Sequence, residues 1–396
     1  MRWTWHFGLG RELGYAFWAL TFFEGVFGAY ISVWPLWIER LGAPISVIGL
    51  VLGSSGLIRP FVLGPGSILL GKHDTSRILL GARSLSIGGL ILAAFANSWP
   101  LLLITVVTSA IGELVFPAIQ TYVADNAGDD PVHAFTMVIT IGPAVALIVT
   151  PLISGLAISI GGIPAALILA AALTAIALIF VSRMHFTNGR TAINANEEAS
   201  YRLAMAHTGI RTLMIIHAFT IGVLAVGSSL ISNFLEVERG ISASLVSILS
   251  SGAAVGTVTF GFLVARHARL RRAPIVAASI ACGLTAMGYM LLATQTWLPL
   301  IALALVCRGG LFSTWSLFLG VLGSIAPAHL RPRSFAIMEI LRGSAMSFGP
   351  IVASQLWKID PRTPFIVSAI CAIVMVIVLV GTRQRQELTV STESAD

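Results

Sequence analysis

Apolar residues in this chain come in runs of about 20 rather than in alternation or in one-sided stripes, and polar residues gather in the short gaps between them. A run of that length matches a helix crossing a bilayer core of about 30 Å. The pattern predicts spans near 15–38, 44–70, 78–96, 99–124, 134–159, 164–182, 212–235, 243–265, 274–294, 297–325, 335–357 and 364–382. Some gaps are tight turns, such as "ANSWP" (96–100) and "TQTWLP" (294–299). The one long polar stretch, "RMHFTNGRTAINANEEASYRLAMAHTGI" (183–210), separates six spans from six. The expectation is therefore an all-α integral membrane protein of twelve transmembrane helices. Its N-terminal bundle is 1–182, its linker 183–210, and its C-terminal bundle with a tail 211–396.

Composition agrees with that class. Of 396 residues, 56% are hydrophobic and 10% charged, with mean hydropathy +0.91, whereas a soluble domain carries about 25% charged residues. The net charge of +7 sits in short loops between apolar runs, so it does not point to nucleic acid. It does set an orientation. With the N-terminus inside, inner segments hold 16 Lys and Arg and outer loops hold 4 (Arg40, Arg239, Lys358, Arg362), which favours both termini in the cytoplasm. Trp34, Trp37, Trp99, Trp297 and Trp357 fall at the outer ends of spans, as an interfacial belt does. Cys282, Cys307 and Cys371 lie inside apolar runs without metal-ligand spacing. The 8 His are scattered, and no "GK[ST]" phosphate loop exists. No cofactor, metal or enzymatic activity is expected, and ATP-driven transport lacks support. The first apolar run is too long for a cleaved signal peptide.

The halves overlay with a nearly constant shift. "EGVFGAY", "IERLG" and "VLGSSG" (within 24–56) fall on "IGVLAVG", "EVERG" and "ILSSG" (within 221–252). Trp99 falls on Trp297, and "TPLISG" (150–155) on "GPIVAS" (349–354). Such a parallel repeat places a solute site near the midplane between halves and lets them rock in alternating access. Over its whole length the chain resembles the major facilitator superfamily of secondary transporters. The family's G-x-L-x-D-R-x-G-R-K loop motif is partly kept in "GFLVARHARLRR" (261–272), at Gly261, Leu263, Arg266 and Arg269, with Ala265 in place of the Asp. The first-half copy, "GSILLGKHDTSR" (66–77), keeps Gly66, Ile68 and the basic ends. The resemblance implies an inner gate at this loop, with Arg266 and Arg269 as its residues. It further implies a multi-pass protein of the bacterial inner membrane that works as a monomer.

Charges inside the spans are the candidate chemistry, because each costs about 3 kcal/mol or more at a bilayer centre. Glu24, Arg59 and Glu113 fall in one layer near mid-depth of spans one, two and four. In the family, helices one and four line the central cavity. A carboxylate in a low-dielectric layer holds its proton more tightly than in water, so Glu24 and Glu113 are the candidate proton-coupling residues. The competing reading makes Glu24 and Arg59 a structural pair. Arg308, near mid-depth of span ten, keeps its charge at any physiological pH and suits a clamp on a solute carboxylate or a partner for Glu113. With Arg59 and Arg308, the apolar lining Phe27, Tyr30, Phe116 and Trp315 completes the expected substrate site. Glu339 and Arg342, three apart on span eleven, read as a local pair or a gate contact. Arg83 is expected to snorkel from a peripheral helix, His217 to be interfacial, and Asn233 and Gln355 to rim the cavity. Together these predict a proton-coupled carrier of a small organic solute, aromatic or amphipathic, with organic acids included. The alternatives are a lipophilic-drug/proton antiporter and a non-transporting scaffold or sensor.

Overall fold

A computed structural model describes residues 5–72, 74–127, 131–186, 197–327 and 330–393, and among the described residues every regular element is helical. The helices used below are α1 (Arg11–Tyr30), α2 (Trp34–Arg40), α3 (Ile45–Lys72), α4 (Thr75–Ala94), α5 (Leu102–Gly112), α6 (Val115–Asn126) and α7 (Gly142–Val181). They continue with α8 (Thr208–Ser228), α9 (Ala243–Arg266), α10 (Pro274–Thr294), α11 (Leu298–Arg308), α12 (Gly310–Ile325), α13 (Arg331–Trp357) and α14 (Thr363–Glu393). The chain packs into two compact units: Met1–Ala192 with Leu235–Ser251, and Ile193–Phe234 with Gly252–Asp396.

Among the described residues, eight helices are long and apolar enough to cross a membrane, or nine when the bent pair α1–α2 counts as one span. That pair bends by 43°. Pro35 sits in the first turn of α2, where its missing N–H needs no partner. The stretch expected as one span over 99–124 is instead two helices, α5 and α6, parted at Glu113–Leu114. The stretches expected as two spans over 134–159 and 164–182 correspond to two limbs of α7, parted at residues 161–162. Gly161 and Gly162 leave helical geometry there, and Gly162 takes φ 68°, a conformation that favours glycine. The limbs on either side fold back along α1. Ser154 of the first limb donates to the Ala29 carbonyl, and Phe180 of the second stacks on Phe22 at 5.8 Å. In a straight helix residues 154 and 180 would be about 39 Å apart, yet their partners on α1 are about 10 Å apart.

Within the first unit, the apolar core gathers Leu20, Phe23, Ile119 and Ala177 from α1, α6 and α7, with Leu114 from the α5–α6 junction. Small residues and hydroxyls do the rest of the packing, as they must where lipid is as apolar as the protein. Ser86 Oγ donates to the Thr108 carbonyl and Thr105 Oγ1 to the Gly89 carbonyl, both at 2.8 Å, which joins α4 to α5. Large apolar side chains such as Ile160 (90% exposed) and Phe61 (80%) face outward, which water would penalise and lipid does not.

The second unit is built the same way. Tyr289 of α10 is fully buried and its hydroxyl donates to the Leu224 carbonyl of α8 at 2.5 Å. Ser368 of α14 donates to the Val223 carbonyl at 2.5 Å. Helices α10 and α12 touch backbone to backbone at Gly310, where an added Cβ would lie 2.1 Å from the Ala281 carbonyl oxygen. Backbone cannot move aside cheaply, so Gly310→Ala is expected to cost about 1–3 kcal/mol. The check is a lowered melting temperature of the purified protein relative to Gly320→Ala, where a Cβ meets open space.

Candidate functional site

The site is built in the first unit on three helices. On α1, Glu24, Phe27 and Tyr30 recur every third residue and share one side of the helix. Across from them, Ser109, Glu113 and Phe116 follow helical spacing through α5 and the start of α6. The Phe27 and Phe116 rings meet at 6.2 Å. Glu113 occupies the α5–α6 junction, where its N–H reaches only as far back as the Ala110 carbonyl. Because the regular helix is interrupted there, α5 and α6 present their residues in two segments rather than along one continuous face.

The third contributor is Arg83 of α4. It is 4% exposed, its guanidinium lies 4.1 Å from the centre of the Phe23 ring, and it lies 5.5 Å from that of Phe116. Glu24 and Glu113 are both electrostatic partners of this guanidinium, as is Tyr30. Gly112 makes room for its stem: a Cβ there would sit 3.3 Å from Arg83 Cδ and 2.3 Å from Ser86 Oγ. Two nitrogens of Arg83, Nε and Nη2, are buried without a hydrogen-bond partner among the described residues. Stacking on two rings stabilises such a cation, by about 2 kcal/mol or more in desolvated sites. Glu24 itself is half-buried.

This corrects one expectation outright. Arg83 does not snorkel to an interface; among the described residues it is a cation of the buried layer. Its α4 neighbours Leu79, Ser86, Gly89, Leu90 and Ala93 form a buried stripe at 3–4 residue spacing, and Arg83 belongs to it. That stripe is visible in the sequence and is the signal that finds the residue. Arg59 is on α3, and its side chain lies outside the described residues, as do those of the loop motif at 66–72.

In the second unit, Trp315, Glu339 and Arg342 converge. Trp315 Nε1 donates to Glu339 Oε1 at 3.1 Å, Arg342 Nη2 lies 2.8 Å from Glu339 Oε2, and the guanidinium covers the Trp315 ring at 4.5 Å. A residue expected to line the cavity and two expected at a gate thus form one cluster. Arg308 ends α11, and its Nε is buried without a hydrogen-bond partner among the described residues. Arg266 and Arg269 are exposed. His217, expected at an interface, is fully buried edge-on against Phe318 at 5.2 Å. Asn233 is fully buried as well, whereas Gln355 is exposed and accepts from Lys358 Nζ at 2.9 Å. Among the described residues no group of three His, Cys, Asp or Glu is placed to hold a metal ion.

The profile of the Major Facilitator Superfamily matches residues 16–350. The chain belongs to that superfamily. Membership makes it a membrane transporter rather than an enzyme. Solved structures of the same fold include the nucleoside transporter NupG, with 16% identity, TM-score 0.77, and coverage of 94% of this chain and 99% of that one. A POT family transporter in complex with 5-aminolevulinic acid has 14% identity and TM-score 0.70, covering 93% and 95%. The human organic anion transporter MFSD10 (TETRAN) has 15% identity and TM-score 0.65, covering 93% and 98%. No curated protein sequence matches this transporter.

Proposed function

We propose that this superfamily member is a proton-coupled secondary transporter of a small organic solute, working by alternating access. One observation carries the reading: in the first unit Arg83, 4% exposed, lies against Phe23 and Phe116, which flank Glu24 on α1 and Glu113 at the α5–α6 junction. Glu24 and Glu113 are the groups of this layer able to exchange a proton, whereas an arginine keeps its charge; they are the proposed coupling residues.

The proposed substrate-binding residues are Phe27, Tyr30, Arg59, Phe116, Arg308 and Trp315. An apolar, aromatic lining with a fixed cation suits an aromatic or amphipathic organic molecule, organic acids among them. The fold shared with carriers described as nucleoside, peptide-family and organic anion transporters supports a solute of that size. The expected frame is twelve spans in two six-helix bundles, 1–182 and 211–396, joined by 183–210, with both termini cytoplasmic. Residues 261–272 with Glu339 and Arg342 form its inner gate, in a bacterial inner-membrane protein active as a monomer. A panel of aromatic carboxylates, nucleosides and small peptides screened for thermal stabilisation of the purified protein tests the solute class. At least one aromatic acid should raise the melting temperature of the wild type and leave Arg308→Gln unmoved. Stabilisation of both proteins alike removes Arg308 from the site.

A further inference from the structure

Residues ahead of the first span fold back on it and create a pocket away from the charge layer. Trp5, His6, Arg11 and Tyr15, with Phe180 from the second limb of α7, line a cavity of about 530 Å³. The segment is fixed by the Trp5 carbonyl, which accepts from Trp18 Nε1 at 2.9 Å. Trp5 also packs on the Tyr15 ring at 5.1 Å and on the His6 ring at 5.5 Å. Gly14 is its seat: a Cβ there would lie 2.6 Å from His6 Cβ and 2.9 Å from the Trp5 ring.

Two groups in this pocket have hydrogen-bonding capacity to spare. Arg11 gives Nε–H to the Tyr15 hydroxyl at 2.9 Å, and a guanidinium fork carries five donors. His6 Nδ1 is buried without a hydrogen-bond partner among the described residues. Next to these polar groups runs an aromatic surface, in which Phe180 meets Phe22 at 5.8 Å and Trp18 at 6.4 Å. The whole lies at the start of a membrane span, the depth at which lipid headgroups sit and where Trp and Tyr concentrate.

We propose that this pocket binds the headgroup of an anionic phospholipid. The phosphodiester oxygens accept from Arg11, whose fork matches phosphate geometry, with the His6 ring lining the pocket beside it. The first methylenes of an acyl chain lie along Phe180, Phe22 and Trp18. A free phosphate ion would use the cation but not the rings, and a zwitterionic lipid would bring a second cation against Arg11. The anionic lipid alone uses both features. The site is independent of the charge layer and of the solute.

Native mass spectrometry of the full-length protein in detergent tests it, with phosphatidylglycerol, phosphatidylcholine or inorganic phosphate added to wild type, Arg11→Gln, Arg11→Lys and Gly14→Leu. Wild type should retain one phosphatidylglycerol in preference to phosphatidylcholine. Its affinity should drop about tenfold or more in Arg11→Gln and Gly14→Leu, the order expected for losing a charge-assisted contact. Arg11→Lys, which keeps the charge but loses the fork, should fall between wild type and Arg11→Gln. Equal retention of phosphatidylglycerol by wild type and Arg11→Gln overturns the assignment. So does displacement of the lipid by equimolar phosphate, which would mark a free-anion site.

Discussion

Arg83→Gln should lower the melting temperature of the purified protein by roughly 10 °C and abolish transport. The reason is the arithmetic of the buried layer. Removing one partner from a buried charge cluster typically costs about 3–5 kcal/mol, because the remaining charges lose their compensation. At roughly 2–4 °C per kcal/mol for a cooperative unit of about 150–250 residues, the size class of the first unit, that gives the stated shift. Arg83 is 4% exposed and lies against two rings, so water does not replace it. The same argument predicts a rescue. Adding Glu24→Gln to Arg83→Gln removes one carboxylate as well, and the double variant should recover at least half of the lost stability. A merely packed arginine gives no rescue: its loss and that of Glu24 would then add independently. A double variant as unstable as the sum of the singles rejects the coupled layer.

The second large effect concerns Glu24 and Glu113 themselves. Glu24→Gln keeps the shape and hydrogen-bonding capacity of the side chain but fixes it without a proton to exchange. Accumulation of solute driven by an imposed pH gradient should fall by at least about tenfold, while exchange of labelled for unlabelled solute at equal pH persists. Glu113→Gln, at the other proposed coupling residue, should behave alike. Loss of exchange together with accumulation would instead mean that the carboxylate holds the solute or the helices.

Much of this is legible in the sequence. The apolar runs give the helical membrane class and most helix positions, because a bilayer leaves the chain few ways to satisfy its backbone. Glu24 and Glu113 stand out as charges in apolar runs for the same reason. What one-dimensional reading misses is which side of a helix meets a neighbour. Arg83 is within reach, as one of a stripe with Ser86, Gly89 and Ala93. A span that starts at 78 instead of Thr75 puts it too near the helix end, and a rule that its helix is peripheral does the rest. His217 fails likewise: depth along the span puts it at an interface, and only its contact with Phe318 puts it in the core. The break at Glu113 has no Pro or Gly-Gly signal of its own; Gly112 looks like any packing glycine until Arg83 and Ser86 are seen against it. The "GG" at 161–162 does mark the turn between the limbs of α7. The convergence of Trp315 with Glu339 and Arg342 joins residues 24 apart in sequence, and no local pattern announces that.

Proton movement evoked by the solute is the most direct test of the central claim. Wild-type protein in liposomes carrying an internal pH indicator should show a pH change when its solute is added, with no gradient imposed beforehand. Glu24→Gln and Glu113→Gln liposomes should show none while still exchanging labelled solute. Solute movement by the wild type with no accompanying proton flux, or an undiminished pH signal in both variants, would contradict the account.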